Sequence, residues 1–139
     1  MLTYVLDASA VLRFADNEPG ADRIRAILLD SANGRCTIEI SAVNWSEVVY
    51  ILAKRPNAQA ALKLAYDIFD QGASSLAATV LRAERAGLLK LKYNLGYADA
   101  FALELAQDSK DHVLVTADFD FKLADKGVKI EFLPAKTRP

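Results

Sequence analysis

Scarcity bounds this chain first. A single cysteine, Cys36, excludes an internal disulfide and is read as a small core-packing residue of a protein kept in a reducing compartment. A single histidine, His112, follows Lys110-Asp111 in what reads as a polar loop and is expected to be solvated. With no second histidine, a histidine-based zinc site and a conventional Ser-His-Asp triad are set aside. Neither sign of charge prevails: seventeen Lys and Arg against eighteen Asp and Glu leave a formal net charge of −1. No global positive field draws nucleic acid to the surface, so any such binding must rest on local basic residues or on metal ions. Nowhere do eighteen apolar residues follow one another, and no charged N-terminal region leads into an apolar segment with a small-residue cleavage site. The expectation is a cytoplasmic protein with no membrane association. Repeats and low-complexity segments are missing too, and the 139 residues, 53% hydrophobic and 25% charged, are read as one domain, 1–139.

What is present is a series of short apolar runs separated by helical segments. Thr3-Tyr4-Val5-Leu6 is a β-forming run that ends on Asp7, and Val113-Leu114-Val115-Thr116 repeats the pattern ahead of Asp118. Strands covered by helices on both faces look like this, and in open α/β sheets ligand sites gather at their carboxyl ends. After Asp7, Ser9 is placed to cap a helix through Val11, Leu12 and Phe14, which Asn17-Glu18-Pro19-Gly20 breaks. Helical spacing continues over 21–29, 42–54 (capped by Ser41 and stopped before Pro56), 58–70 and 97–107, with a short helix over 121–126. Cys36-Thr37-Ile38-Glu39-Ile40 alternates like a strand, and 128–132 makes a last strand before an end expected to fray at Pro139. Over 73–92, Leu76, Val80, Leu81 and Ala83 suggest a helix that Gly87 should end or kink, and no clear strand stands out. Strands separated by helices of this length imply βαβ units, hence an α/β fold whose mostly parallel sheet, of four or five strands, is sandwiched by helices.

Taken singly, each acid in this frame has an ordinary explanation. Asp7 could cap the following helix, although Ser9 is available for that. Glu47 has Val43, Asn44, Tyr50 and Ile51 as helical neighbours, a largely inward face where an unpaired carboxylate costs several kcal/mol. The only cations on its helix and just beyond are Lys54 and Arg55, at the far end. Asp99 lies among Gly96, Ala102 and Leu103 and either caps a later helix start or points at a cation. For Asp118, capping of the short helix competes with a site role, and Asp120 reads as a more exposed cap or supporting group.

The four acids Asp7, Glu47, Asp99 and Asp118 have a common explanation if they converge. Like charges within a few ångströms tolerate one another only with protons or a multivalent cation. Ligation by oxygen alone selects a hard ion, Mg²⁺ with Mn²⁺ as a substitute. Such an ion suits phosphoryl chemistry, because it activates a water, neutralises the attacked phosphate and steadies the leaving oxygen.

Val5-Leu6-Asp7-Ala8-Ser9-Ala10-Val11-Leu12, Ser46-Glu47-Val48, Tyr97-Ala98-Asp99-Ala100-Phe101-Ala102-Leu103 and Leu114-Val115-Thr116-Ala117-Asp118-Phe119-Asp120-Phe121 resemble, in order and spacing, the four acidic motifs of PIN-domain nucleases. Length and the lack of appended domains are most similar to VapC, the toxin of type II toxin–antitoxin pairs. The resemblance implies a PIN-like three-layer sandwich with Asp7, Glu47, Asp99 and Asp118 as catalytic metal-binding acids. Ser9 and Thr116 become the polar residues that hold neighbouring acids in place, and Asp120 a further acid beside them. It also implies an endoribonuclease acting on structured RNA such as tRNA or rRNA, a homodimer, and a cognate antitoxin that lays an amphipathic segment in an apolar groove beside the site. Two departures stand out: Ala117 where many relatives have glycine, and the unclear strand in 73–92.

Arg13, Lys90 and Lys92 are candidates for gripping the RNA backbone, against the ordinary reading of each as a solvated charge. Rival readings are a PIN nuclease outside any toxin pair, acting on rRNA precursors or branched DNA, and a non-catalytic RNA- or metal-binding module. A receiver domain would need a lysine where Asp118 follows the late strand, and an Asp-nucleophile phosphatase a second acid where Ser9 stands.

Overall fold

The computed structural model describes residues 1–124 and 127–136, without the side chains of 122–124. Strands β1 (Leu2–Leu6), β2 (Cys36–Ser41), β3 (Ser74–Leu76), β4 (His112–Thr116) and β5 (Lys129–Phe132) form one sheet in the order β3-β2-β1-β4-β5, every pairing parallel. Sequence leaves four or five strands open; β3 supplies the fifth. Its three residues sit at a sheet edge with both serines exposed, too short and too wet to show a strand pattern.

Helices α1 (Ala8–Ala15), α2 (Ala21–Ala32), α3 (Ala42–Ala53) and α4 (Ala58–Asp70) cover one face, while α5 (Val80–Tyr93) and α6 (Tyr97–Ala106) cover the other. The alternation of strand side chains feeds both layers: Leu6, Ile38, Ile40 and Val115 enter the first core, Val5 and Leu114 the second. α5 runs through Gly87, where the sequence predicts a stop or kink. An exposed glycine inside a helix costs only about 1 kcal/mol, and Ala86, fully buried, anchors the same turn. A 3₁₀ helix, Phe119–Ala124, stands at the short helix expected over 121–126. Residues 125–126 and the end expected to fray at Pro139 lie outside the described residues.

The chain lays β2 and β3 on one side of β1, then crosses to place β4 and β5 on the other. Strand order therefore reverses between β1 and β4, and the crevice at their carboxyl ends is where such sheets bind ligands. Asp7 follows β1 and Asp118 follows β4 at that crevice. The turn before α2 meets the segment after β5: Gly20 has φ +99°, and a Cβ there would stand 2.9 Å from the Leu133 Cβ. Lys136 pairs with Glu18 at 2.7 Å in the same seam. Among the described residues no helix is long and apolar enough to cross a membrane.

Candidate metal centre

Asp7 occupies the junction of β1 and α1 and is only 1% exposed. Its Oδ1 accepts the Ala10 N–H at 2.9 Å and the Ser9 hydroxyl at 2.6 Å, and its Oδ2 accepts the Thr116 hydroxyl. Asp7 itself is thus the N-cap of α1, in place of Ser9. Ser9 lies inside the first turn, where its Oγ accepts the Ala117 N–H at 2.8 Å, and Thr116 Oγ1 accepts the Asp118 N–H at 2.9 Å. Two hydroxyls therefore donate to Asp7 while accepting from the backbone after β4, which fixes the ends of both strands relative to each other. Burial pushes the Asp7 carboxyl up to about 6, against these hydrogen bonds, and the charge of Asp118 adds to the rise.

Asp99 lies in the first turn of α6 and is half-buried; the N-cap is Gly96, so the capping alternative for Asp99 does not apply. Its carboxyl is pushed up to about 7, first by burial, then by the charges of Asp118 and Asp7, a side-chain contact with Asp118, and the charge of Glu47. Asp118 is half-buried and accepts the Asp120 N–H at 2.9 Å, so it caps the 3₁₀ helix while facing the other acids. Asp120 is exposed.

Glu47 departs from the sequence expectation: it is exposed, because the inward face of α3 is Asn44, Val48 and Leu52, and Glu47 sits at the edge of that stripe. Its charge nonetheless acts on Asp99. The four acids are thus neighbours, and among the described residues no Lys or Arg pairs with any of them. A hard divalent cation fits this donor set: carboxylate oxygens only, one aspartate held rigid in its rotamer, and burial together with like charges that push the Asp99 carboxyl up to about 7.

Sequence reasoning missed Asn44. It is 1% exposed; its Oδ1 accepts the Ala8 N–H at 3.1 Å and its Nδ2 donates to the Ala98 carbonyl at 3.0 Å, tying the starts of α1 and α6 to α3. The available signal was an amide in the apolar run Ala42-Val43-Asn44-Trp45.

The basic candidates divide. Arg13 is buried and donates to the Pro19 carbonyl and, at 2.8 Å, to the Pro134 carbonyl; it braces two chain segments and is not presented to a ligand. Lys90 is half-buried and donates to the Leu95 carbonyl at 2.8 Å, whereas Lys92 is exposed. His112, expected in a solvated loop, opens β4 and is half-buried, with Nε2 3.1 Å from Glu39 Oε1 and Nδ1 2.8 Å from Ser109 Oγ. Lys110-Asp111 is the loop, and pairing with β1 begins one residue earlier than the polarity of His112 suggests. Glu39, Asp108 and His112 bring ligand atoms within 4.8 Å of one another and could hold an ion. Asp108, however, already receives two hydrogen bonds from Arg82, at 2.9 and 2.7 Å.

The model of the PIN domain family matches residues 4–127. VapBC2 from Rickettsia felis, solved bound to a DNA fragment from its promoter, superposes with a TM-score of 0.73 at 17% identity, covering 96% of this chain and 100% of that one. DNA-bound VapBC from Salmonella typhimurium gives 0.71 at 21% identity, with 95% and 98% covered. The Mycobacterium tuberculosis toxin VapC20, which cleaves the sarcin-ricin loop, gives 0.68 at 15% identity, with 94% and 99% covered. None of the curated proteins compared with the chain matches it.

Proposed function

The chain belongs to the PIN-domain family, and on that premise we propose that it is a Mg²⁺-dependent endoribonuclease, the toxin of a type II toxin–antitoxin pair, with 1–139 acting as one catalytic unit. Its reaction is hydrolysis of phosphodiester bonds in structured RNA such as tRNA or rRNA. The observation that carries this reading is the group of four neighbouring acids, Asp7, Glu47, Asp99 and Asp118, with no protein cation among the described residues to neutralise them.

Asp7, Asp99 and Asp118 would hold the ion, Mg²⁺ or Mn²⁺, and Glu47 would complete the set from the rim. When bound, the ion supplies charge neutralisation at the attacked phosphate and the leaving oxygen and acidifies a water. The chain's own part is positioning. Ser9, Thr116 and the Ala10 N–H fix both oxygens of Asp7, so its carboxylate needs little reorganisation to receive a cation. Asn44 holds the first turn of α6, and with it Asp99, against α3. Asp120, through its backbone, fixes the Asp118 rotamer. Lys92 and the partly exposed Lys90 would meet the RNA backbone. The VapBC neighbours support an antitoxin partner, which would insert an amphipathic segment beside the site of a homodimer in the cytoplasm.

Cleavage of end-labelled tRNA and rRNA fragments in Mg²⁺, in Mn²⁺ and in EDTA tests the reading. Activity should require the metal and fall at least about a hundredfold in Asp7→Asn, since losing even the groups that support a metal ligand costs about 10- to 100-fold. Equal rates for Asp7→Asn and wild type would remove the catalytic assignment.

A further inference from the structure

We propose that two Lys–Tyr pairs flanking the acids, Tyr50 with Lys54 and Tyr97 with Lys90, are nucleotide subsites that hold an unpaired strand across the metal centre. The inference rests on the nuclease reading and names the form of substrate the site takes. Glu47, Tyr50 and Lys54 follow one another at i, i+3 and i+7 on the exposed side of α3, so the ring is the helical neighbour of an acid whose charge reaches Asp99. Tyr50 is 64% exposed, and the Lys54 ammonium lies 4.2 Å from its ring centroid. On the other side, Tyr97 is the first residue of α6, two before Asp99, and is 67% exposed. The Lys90 ammonium lies 4.8 Å from that ring centroid.

Both rings are held on a braced frame. Asn44 of α3 bonds the carbonyl of Ala98, the residue between Tyr97 and Asp99, so the helix that carries one pair is fixed to the helix that carries the other. Lys90 is pinned by the Leu95 carbonyl, and its contact with Tyr97 joins α5 to α6 rather than stabilising one helix from within. Each pair offers what a nucleotide needs: an aromatic face for a base and an ammonium for a phosphate. Four acids repel a polyanion, and the chain has no net positive charge to offset that, so attraction must come from cations set immediately beside the centre. A base inside a duplex has no free face to stack on a side chain, which restricts these subsites to unpaired nucleotides.

The test combines binding in EDTA, where no hydrolysis competes, with cleavage kinetics in Mn²⁺. The probes are a labelled single-stranded oligoribonucleotide and its perfect duplex. Tyr50→Ala and Tyr97→Ala should each raise Kd and KM for the single strand at least about fivefold, as loss of a stacked base does, with kcat within about twofold and Mn²⁺ affinity unchanged. Tyr50→Phe and Tyr97→Phe should behave as wild type, and the duplex should bind at least about fivefold more weakly. Alanine variants that bind as wild type, or a duplex that binds as tightly, would overturn the proposal. So would a Tyr50→Ala protein that changes its sedimentation but not its Kd, which reassigns the ring to a protein contact. Loss of Kd contrast with intact metal-dependent cleavage sinks the subsites alone. The predicted Kd pattern without any cleavage sinks the nuclease reading and leaves the subsites standing.

Discussion

At its first turn α6 places Asp99 beside Asp7, Asp118 and Glu47; at its last turn it places Glu104, with Asp108 just beyond, beside Arg82, Arg85, Glu39 and His112. The carboxyl-end acids are fully provided for. The Glu104 side chain, 3% exposed, meets Arg82 at 3.0 Å and Arg85 at 3.8 Å, and Arg82 holds Asp108 below the usual carboxylate range. At the amino end the shifts run the other way, because burial and like charges act on Asp7 and Asp99 with no guanidinium to oppose them. One helix thus presents acids to two environments, one that completes its charge balance internally and one that leaves it to a ligand.

The contrast can be broken most severely at the carboxyl end. Arg82→Met leaves Glu104 buried with only the distant Arg85 and should destabilise the fold by about 3 kcal/mol, the scale of an orphaned buried charge; thermal melts should drop by about 10 °C. Asp99→Asn at the other end should act with the opposite sign. In metal-free protein at pH 8 it should raise the melting temperature by a few degrees, and it should abolish the additional rise that Mn²⁺ gives the wild type. A melt that falls in Asp99→Asn would mean that the carboxylate is already compensated.

pH sharpens the same comparison. Folding raises Asp7 to about 6 and Asp99 to about 7 from an ordinary 3.8, so the folded state binds more protons than the unfolded chain between pH 4 and 7. These two groups therefore lower the stability of metal-free protein progressively as pH rises through that window, and saturating Mn²⁺ should flatten the dependence. Calorimetric melts across pH 4–8 with EDTA or Mn²⁺ read the difference directly. The smallest effect is expected from His112→Asn, which removes the contact with Glu39: about 1 kcal/mol of stability, with RNA cleavage unchanged.

Much of the end of the sheet where the acids meet was legible because it is encoded locally. A β-forming run that stops on an acid marks Asp7 and Asp118, and an acid among small apolar helical residues marks Asp99. What escaped depends on partners distant in sequence. Glu47 reads as inward from its neighbours, yet α3 turns Asn44, Val48 and Leu52 to the core and leaves Glu47 at the rim. Arg13 reads as a surface cation until Pro134, far along the chain, supplies its acceptor. His112 reads as a loop residue until β1 and Glu39 are placed beside it. β3 has only its pairing with β2 to define it.

The seam between the turn after α1 and the segment after β5 couples the C-terminal segment to the helix that opens on Asp7. Leu133 fills the space left by Gly20, Arg13 grips the Pro134 carbonyl, and Lys136 reaches Glu18. Trimming past Leu133 would unzip this seam and loosen α1, the helix whose amino terminus Asp7 secures.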